Sequence, residues 1–322
     1  MNRRTFLQWL MASIGGLCIG HGLGQTRLPL SRVTLLEASS YDVDLVSGLM
    51  AAMGEDGLAL SGKRVLLKPN FVEVHPGRPI NTHPSLIRQV AEACLRLGAR
   101  EVLVGEAAGH RRDPWFSVMN PDFIKSLPAG VRCVDLNYSR VVRVRNTSAY
   151  GALAEFLLPL PLLSSDVVIG LPKMKTHHWM GVTLAMKNLF GVMPGVIYGW
   201  PKNTLHVSGL GQTIVDLARC VPTHYHIVDG ITGMEGDGPI LGTPLQVGVV
   251  VAGRDILAVD TTAARIMGFD PMQVPYMRVA AWHLPGFGEH RKTYAGKPMT
   301  AFARDFQCLE KYQEWKLNRL KK

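Results

Sequence analysis

Residues 167–191 read VVIGLPKMKTHHWMGVTLAMKNLFG. The first four, Val167-Val168-Ile169-Gly170, form an unbroken apolar run of the kind found in a strand buried on both faces. The pattern breaks at Leu171-Pro172, and a turn-rich polar run follows: Lys173, Lys175, Thr176, His177 and His178. The stretch closes on Lys187-Asn188, within a short predicted helix. Three lysines and two histidines framed by apolar residues are costly to desolvate unless an anion or a metal compensates them. The active or binding centre is therefore expected here, at the carboxyl end of a buried strand.

Working outward, short apolar runs alternate with amphipathic segments. Strands are predicted at 33–36, 64–67, 101–105, 131–134, 141–145, 225–228 and 245–252. Helices are predicted at 43–53, 84–97, 122–127, 212–220 and 255–267. Pro84 suits a first helical turn, Gly98 a helix end, and Asp255 an N-cap. Residues 159–165 read as a loop. This alternation predicts an α/β fold, a mostly parallel sheet flanked by helices in a single large domain. The Pro/Gly-rich stretch 191–201 reads as an active-site loop. After Pro271 the pattern weakens, and 271–322 reads as a peripheral C-terminal helical extension. The main domain is then 32–270.

The chain has 322 residues, 47 % of them hydrophobic, and a net charge of +10. That apolar share excludes global disorder. The positive charge suits an anionic small molecule as partner. No basic run is interleaved with aromatics, so nucleic acid is not expected as a partner. Asn2-Arg3-Arg4-Thr5-Phe6-Leu7 resembles the twin-arginine export motif, and a moderately apolar stretch and Gly22-Leu23-Gly24 follow. Residues 1–24 are thus read as a twin-arginine-type signal peptide. The chain is expected in the periplasm or outside the cell, membrane-anchored if the signal is retained and not integral to the membrane once it is cleaved. Five cysteines with no C-x-x-C spacing argue against an iron–sulfur cluster bound by this chain.

Polar residues follow the carboxyl ends of several predicted strands: Lys68-Pro69-Asn70, Glu106, the run from Lys173 to His178, and the segment from Asp229 to Asp237. In open parallel sheets ligands bind at that edge, so these exits are expected to converge on one cleft. The segment DGITGMEGDGP, residues 229–239, is glycine-rich and reads as a tight loop. It would form an anion-binding nest or aim Glu235 and Asp237 into the cleft. Asp260, mid-helix, is expected either to hold one of the lysines in place or to be plainly exposed.

These residues together resemble the DUF362 family, catalogued only as a domain of unknown function. The matching pieces are Lys68-Pro69-Asn70, His83-Pro84, Gly98-Ala99-Arg100-Glu101-Val102 with Glu106, and Leu171 to His177. Thr183, Lys187-Asn188, Phe190-Gly191, His206, Asp229-Gly230, Met234 to Pro239, Gly242, Asp255 and Ala258-Val259-Asp260 complete the set. The resemblance implies an α/β domain. It also implies redox or cofactor chemistry, because many members carry ferredoxin-type domains. This chain lacks those cysteines, so electron transfer would need a separate iron–sulfur redox protein as partner.

The resulting expectation is an exported protein that binds an anionic small molecule or metal-containing cofactor in a Lys/His/carboxylate cleft. It is read as an enzyme of redox or cofactor-related metabolism; the alternative is a non-catalytic periplasmic cofactor carrier or an accessory subunit of a redox complex. The catalytic candidates are Lys175, His177 and Lys187, with the lysines holding the anion and His177 exchanging a proton. Ligand-binding candidates are Lys68, Asn70, Lys173, Asn188 and His206. A divalent metal is the candidate cofactor, with Glu235, Asp237 and His177 as its ligands.

Overall fold

The computed structural model describes residues 30–317 apart from 76, 110–118, 149 and 201. The export-signal reading and much of the excursion after Glu106 lie outside the described residues. The strands are β1 (Ser31–Glu37), β2 (Arg64–Pro69), β3 (Glu101–Glu106), β4 (Val131–Asp135), β5 (Val141–Arg145), β6 (Glu155–Pro159), β7 (Val167–Leu171), β8 (Lys173–His177), β9 (Gly181–Thr183), β10 (Tyr225–Glu235), β11 (Thr243–Gly253) and β12 (Lys292–Gly296). The main sheet runs β12-β1-β11-β10-β7-β2-β3-β4, with β8 and β9 branching from β10; β5 and β6 pair separately. It is mostly parallel and mixed: β11 is antiparallel to both neighbours, and every pairing from β10 through β7, β2 and β3 to β4 is parallel.

Alternation along the strands builds two cores. Leu66, Leu103, Val168, Val228 and Val251 face one layer, which holds the helices Leu210–Cys220 and Ile256–Ile266. Val65, Leu67, Val104, Ile169, Ile227 and Val250 face the other, under the helices Val46–Glu55 and Pro84–Arg96. A strand covered on both faces must be apolar at consecutive positions, which explains the unbroken runs in the sequence. Among the described residues no helix is long and apolar enough to cross a membrane.

Four expectations are corrected. The polar run is not a turn: Lys173–His177 forms β8, parallel to β10 and antiparallel to β9. Pro172 has no N–H for the ladder, so β7 stops before it and the strand resumes one residue later. The glycine-rich run is not a nest either, because β10 continues through Asp229 to Glu235 with a bulge between Gly230 and Thr232. Antiparallel pairing to β11 satisfies amides that a nest would have left free. Residues 160–163 form one helical turn rather than loop. The C-terminal extension is not a helical tail. It holds one short helix (Pro275–Ala280), the edge strand β12 beside β1, and single 3₁₀ turns. Pro285, Gly286, Gly288 and Pro298 interrupt any longer helix, and Phe302, Phe306 and Tyr312 anchor the segment in the first core.

Candidate functional site

The carboxyl ends of β2, β3 and β8 open into a cavity of about 360 Å³. Lys175 and His177 reach it from β8, two residues apart and so on one face of the pleat. Lys187 and Asn188 reach it from the one-turn helix Ala185–Asn188, whereas Lys202 and His206 come from the helical turn Asn203–Val207 and the residue before it. Trp179, Phe190 and Ile240 supply apolar wall.

Lys68 lies one layer behind. Its ammonium donates to Glu106 Oε2 at 2.8 Å, to Asn188 Oδ1 at 2.9 Å and to the Pro69 carbonyl at 2.6 Å. Both partners of the Lys68–Glu106 pair are 1 % exposed. Glu106 Oε2 also accepts from the Phe71 N–H, while Oε1 has no partner. Gly191 closes over this pair. A Cβ there would stand 2.1 Å from both Glu106 Oε1 and Lys68 Nζ, so only glycine lets the backbone pass.

The other lysines differ in how they are held. Lys175 donates to the Ile80 carbonyl at 2.8 Å, and Lys202 to the Ala107 carbonyl at 2.6 Å and to the Phe190 carbonyl. Lys202 takes φ +68°, a left-handed backbone unusual outside glycine, and these two carbonyls hold its amine from the far end. Lys187 makes no hydrogen bond or ion pair within the described residues; its Nζ stands 4.0 Å over the Phe190 ring. Burial pushes Lys175 well below the usual lysine range, and the neighbouring Lys187 and Lys173 cations add to this. Lys187 falls to about 7 through burial and the Lys68 charge. Lys202 also falls to about 7, through burial against the opposing pull of Glu106. Burial drives Glu106 the other way, upward, although Lys68 and Lys202 restrain it.

Two of the three imidazoles lining the cavity, His177 and His206, carry opposite tautomers. His177 Nδ1 accepts from the Trp179 N–H at 3.0 Å, which places its proton on Nε2. His206 Nδ1 lies 2.9 Å from the Lys202 carbonyl, which can only accept, so Nδ1 holds the proton and Nε2 offers a lone pair. Burial first, then nearby cations, pushes His177 well below the ordinary histidine range, and burial lowers His206. Neutral rings follow at neutral pH.

Of the residues expected from sequence, Asn70, Lys175, His177, Lys187, Asn188 and His206 line the cavity, and Lys68 backs it. Lys173 does not line it. Its ammonium pairs with Asp229 at 2.9 Å and donates to the Tyr41 hydroxyl at 2.6 Å, beside the stacked rings of Tyr41 and His83 and in a different groove. The expected metal set is not brought together: among the described residues no three His, Cys, Asp or Glu are grouped to hold a metal ion. Glu235 instead accepts from the Gln307 N–H, and Asp237 lies 3.9 Å from His178. Once β10 continues through the glycine-rich run, Glu235 is committed to pairing with the C-terminal segment.

Lys202 escaped sequence reasoning as a member of the site, and the partners of Glu106 and Asp260 were not legible. Lys202 looks like a loop lysine, and its one clue is its place next to the Pro/Gly-rich stretch. Glu106 was read as a strand exit but not as the partner of Lys68. Asp260, fully buried, accepts from the amides of Ala185 and Met186 at 2.6 and 3.0 Å, so it caps the turn carrying Lys187 and Asn188. Its mid-helix position among small residues was the legible signal.

The family model described as "Domain of unknown function (DUF362)" matches residues 65–265. A thylakoid-associated protein of Synechocystis, sll1697, is 30 % identical over 254 residues, covering 76 % of this chain and 77 % of that protein. Among solved structures, the lactate racemase apoprotein of Thermoanaerobacterium thermosaccharolyticum superposes with a TM-score of 0.43 at 9 % identity, over 79 % of this chain and 56 % of that one. A Thermotoga maritima protein superposes with a TM-score of 0.35 at 12 % identity, over 68 % and 57 %. The chain thus spans a little over half the length of these solved chains.

Proposed function

The chain belongs to the DUF362 family, and from that premise we propose that it binds an anionic small molecule in the cavity between β2, β3 and β8 and acts on it as an enzyme. One observation carries this reading. Lys175, Lys187 and Lys202 share one cavity in which Glu106 is the single carboxylate among the described residues, and Glu106 is already paired with Lys68. Cations crowded out of water lose their protons or acquire an anion, and a bound carboxylate or phosphate supplies the missing charge. In this reading Lys175 and Lys202, steadied by carbonyls, hold the anion. His177 Nε2–H donates a hydrogen bond to the bound molecule and His206 Nε2 accepts a proton from it. Separate alanine substitutions of Lys175, His177 and Lys187 test it. Unchanged ligand binding and turnover in all three, with folding intact, would rule it out.

Export is the second element of the proposal. Arg3-Arg4 and the Phe6-Leu7 that follow support a folded passage across a membrane, and the thylakoid association in the name of the Synechocystis relative fits a protein that works beside one. Retention of the chain in the cytoplasm after Arg3→Lys and Arg4→Lys substitution is expected. Undisturbed export in that double variant would sink the idea. A cofactor carrier uses the same cavity without turnover, and native mass spectrometry of protein from its own compartment separates the two, since a carrier releases its ligand unaltered.

A further inference from the structure

Four lysines crowd the cavity and its rear wall, and they are not equivalent. Lys68, Lys175 and Lys202 spend their N–H groups on a carboxylate, an amide oxygen or main-chain carbonyls. Among the described residues Lys187 spends none, and it faces the cavity with its amine resting on the Phe190 ring. An amine that no acceptor holds in its charged form is free to act as a nucleophile. The helical turn that presents it is fixed by the buried Asp260 cap, so the amine is aimed although it is unbonded.

We propose that Lys187 is the covalent residue of the cavity and forms an imine with the carbonyl carbon of a small oxo acid, whose acid group is held by Lys175 and Lys202. The inference rests on the anion-binding reading above and names the substrate class for the same site. In the first step the Lys187 Nζ lone pair adds to the carbonyl carbon, and the C=O π pair moves to oxygen. His177 Nε2–H steadies that oxygen with a hydrogen bond, and the proton released by nitrogen passes through His206 Nε2 to the oxygen, giving a neutral carbinolamine. In the second step the remaining N–H proton follows the same route through His206 Nε2 to the hydroxyl, the C–O bond breaks, one water leaves, C=N forms and both rings end neutral. The condensation releases water and needs no oxidant or reductant. A donor and an acceptor imidazole are the pair that such a dehydration uses, and both rings line the same cavity as Lys187. The lowered ammonium pKa of Lys187, about 7, leaves a large neutral fraction at neutral pH.

The test uses the full chain with sodium glyoxylate, the smallest 2-oxo acid, and sodium cyanoborohydride to reduce any imine to a stable amine. Intact-mass measurement and peptide mapping locate the adduct, and inorganic phosphate serves as a competing anion without a carbonyl. The expected result is one adduct, on Lys187, formed well ahead of any other lysine. It should be slowed by phosphate, absent in Lys187→Met, and faster as pH rises through about 7. If phosphate raises the melting temperature but the label spreads over surface lysines or spares Lys187, the imine assignment falls and the anion site stands. If phosphate neither stabilises the protein nor slows labelling, the anion site falls and takes this inference with it. Mapping on the unsubstituted chain decides the matter even if the methionine variant fails to fold.

Discussion

Replacing Lys68 with methionine keeps most of the stem and removes the cation behind the cavity. The lost ammonium made three hydrogen bonds, to Glu106, Asn188 and Pro69. Glu106 would then keep a single donor, the Phe71 N–H at 3.0 Å, for a carboxylate that is 1 % exposed. Leaving one charge of a buried pair alone costs about 3–5 kcal/mol, a large part of the roughly 5–15 kcal/mol that holds a domain together. The cost has a pH signature. Glu106 already sits above the usual carboxylate range through burial, and loss of Lys68 removes the larger of the two charges that restrain it, leaving Lys202. Between the unfolded carboxylate pKa and this raised folded value, the native state binds more protons than the unfolded state, so stability falls as pH rises through that window. Lys68→Met is therefore expected to be milder at about pH 5 than at about pH 8. Urea denaturation at both pH values, with unchanged slope m, measures this. The double variant Lys68→Met/Glu106→Gln should lose little more than the single one, with a coupling of about 0.5–3 kcal/mol. Additive losses, or a penalty that ignores pH, would refute the claim that these two groups depend on each other.

Other expectations follow from the same geometry. Gly191→Ala places a methyl group 2.1 Å from Lys68 Nζ and Glu106 Oε1, and overpacking of this kind should cost about 1–3 kcal/mol in thermal denaturation; an unshifted melting temperature would mean that the wall is soft. Asp260→Asn keeps one acceptor for the amides of Ala185 and Met186 and should cost about 0.5–2 kcal/mol, as loss of a helix cap does. Because burial raises Asp260 to about 7, its contribution to stability is lost as pH rises from the unfolded carboxylate value toward about 7, and the Asn variant should show a flatter profile across that range. Anion affinity should weaken as pH rises through about 7, where Lys187 and Lys202 give up their protons; a titration independent of pH from 6 to 8 would argue, by the size of the charge lost, against both lysines as its source.

Much of the sheet was legible because strands buried on both faces leave unbroken apolar runs. Val167 to Gly170, Arg64 to Leu67 and Leu245 to Ala252 all fall within observed strands. The lysine-bearing strand β8 was not legible. Its residues are buried by neighbouring elements, and no local pattern distinguishes Lys173–His177 from a polar turn. The site was visible in outline through strand exits that carry charge. Its pairing was not, since Lys68 meets Glu106 and Lys173 meets Asp229 across strands that are distant in sequence. The same holds for Glu235, whose partner Gln307 arrives from a segment without periodicity. Asp260 shows the limit from the other side: its need for a partner could be read from its surroundings, but the identity of the amides 74 and 75 residues away could not.

The account stands on a cavity that carries more positive charge than its own carboxylate offsets. Calorimetric titration of the purified chain with inorganic phosphate, beside Lys175→Met and Lys202→Met, addresses this most directly. The account predicts saturable, salt-sensitive binding that weakens about 10-fold or more in each variant, the size expected for one lost charge-assisted contact. Equal binding in all three proteins, or none in any, would contradict it.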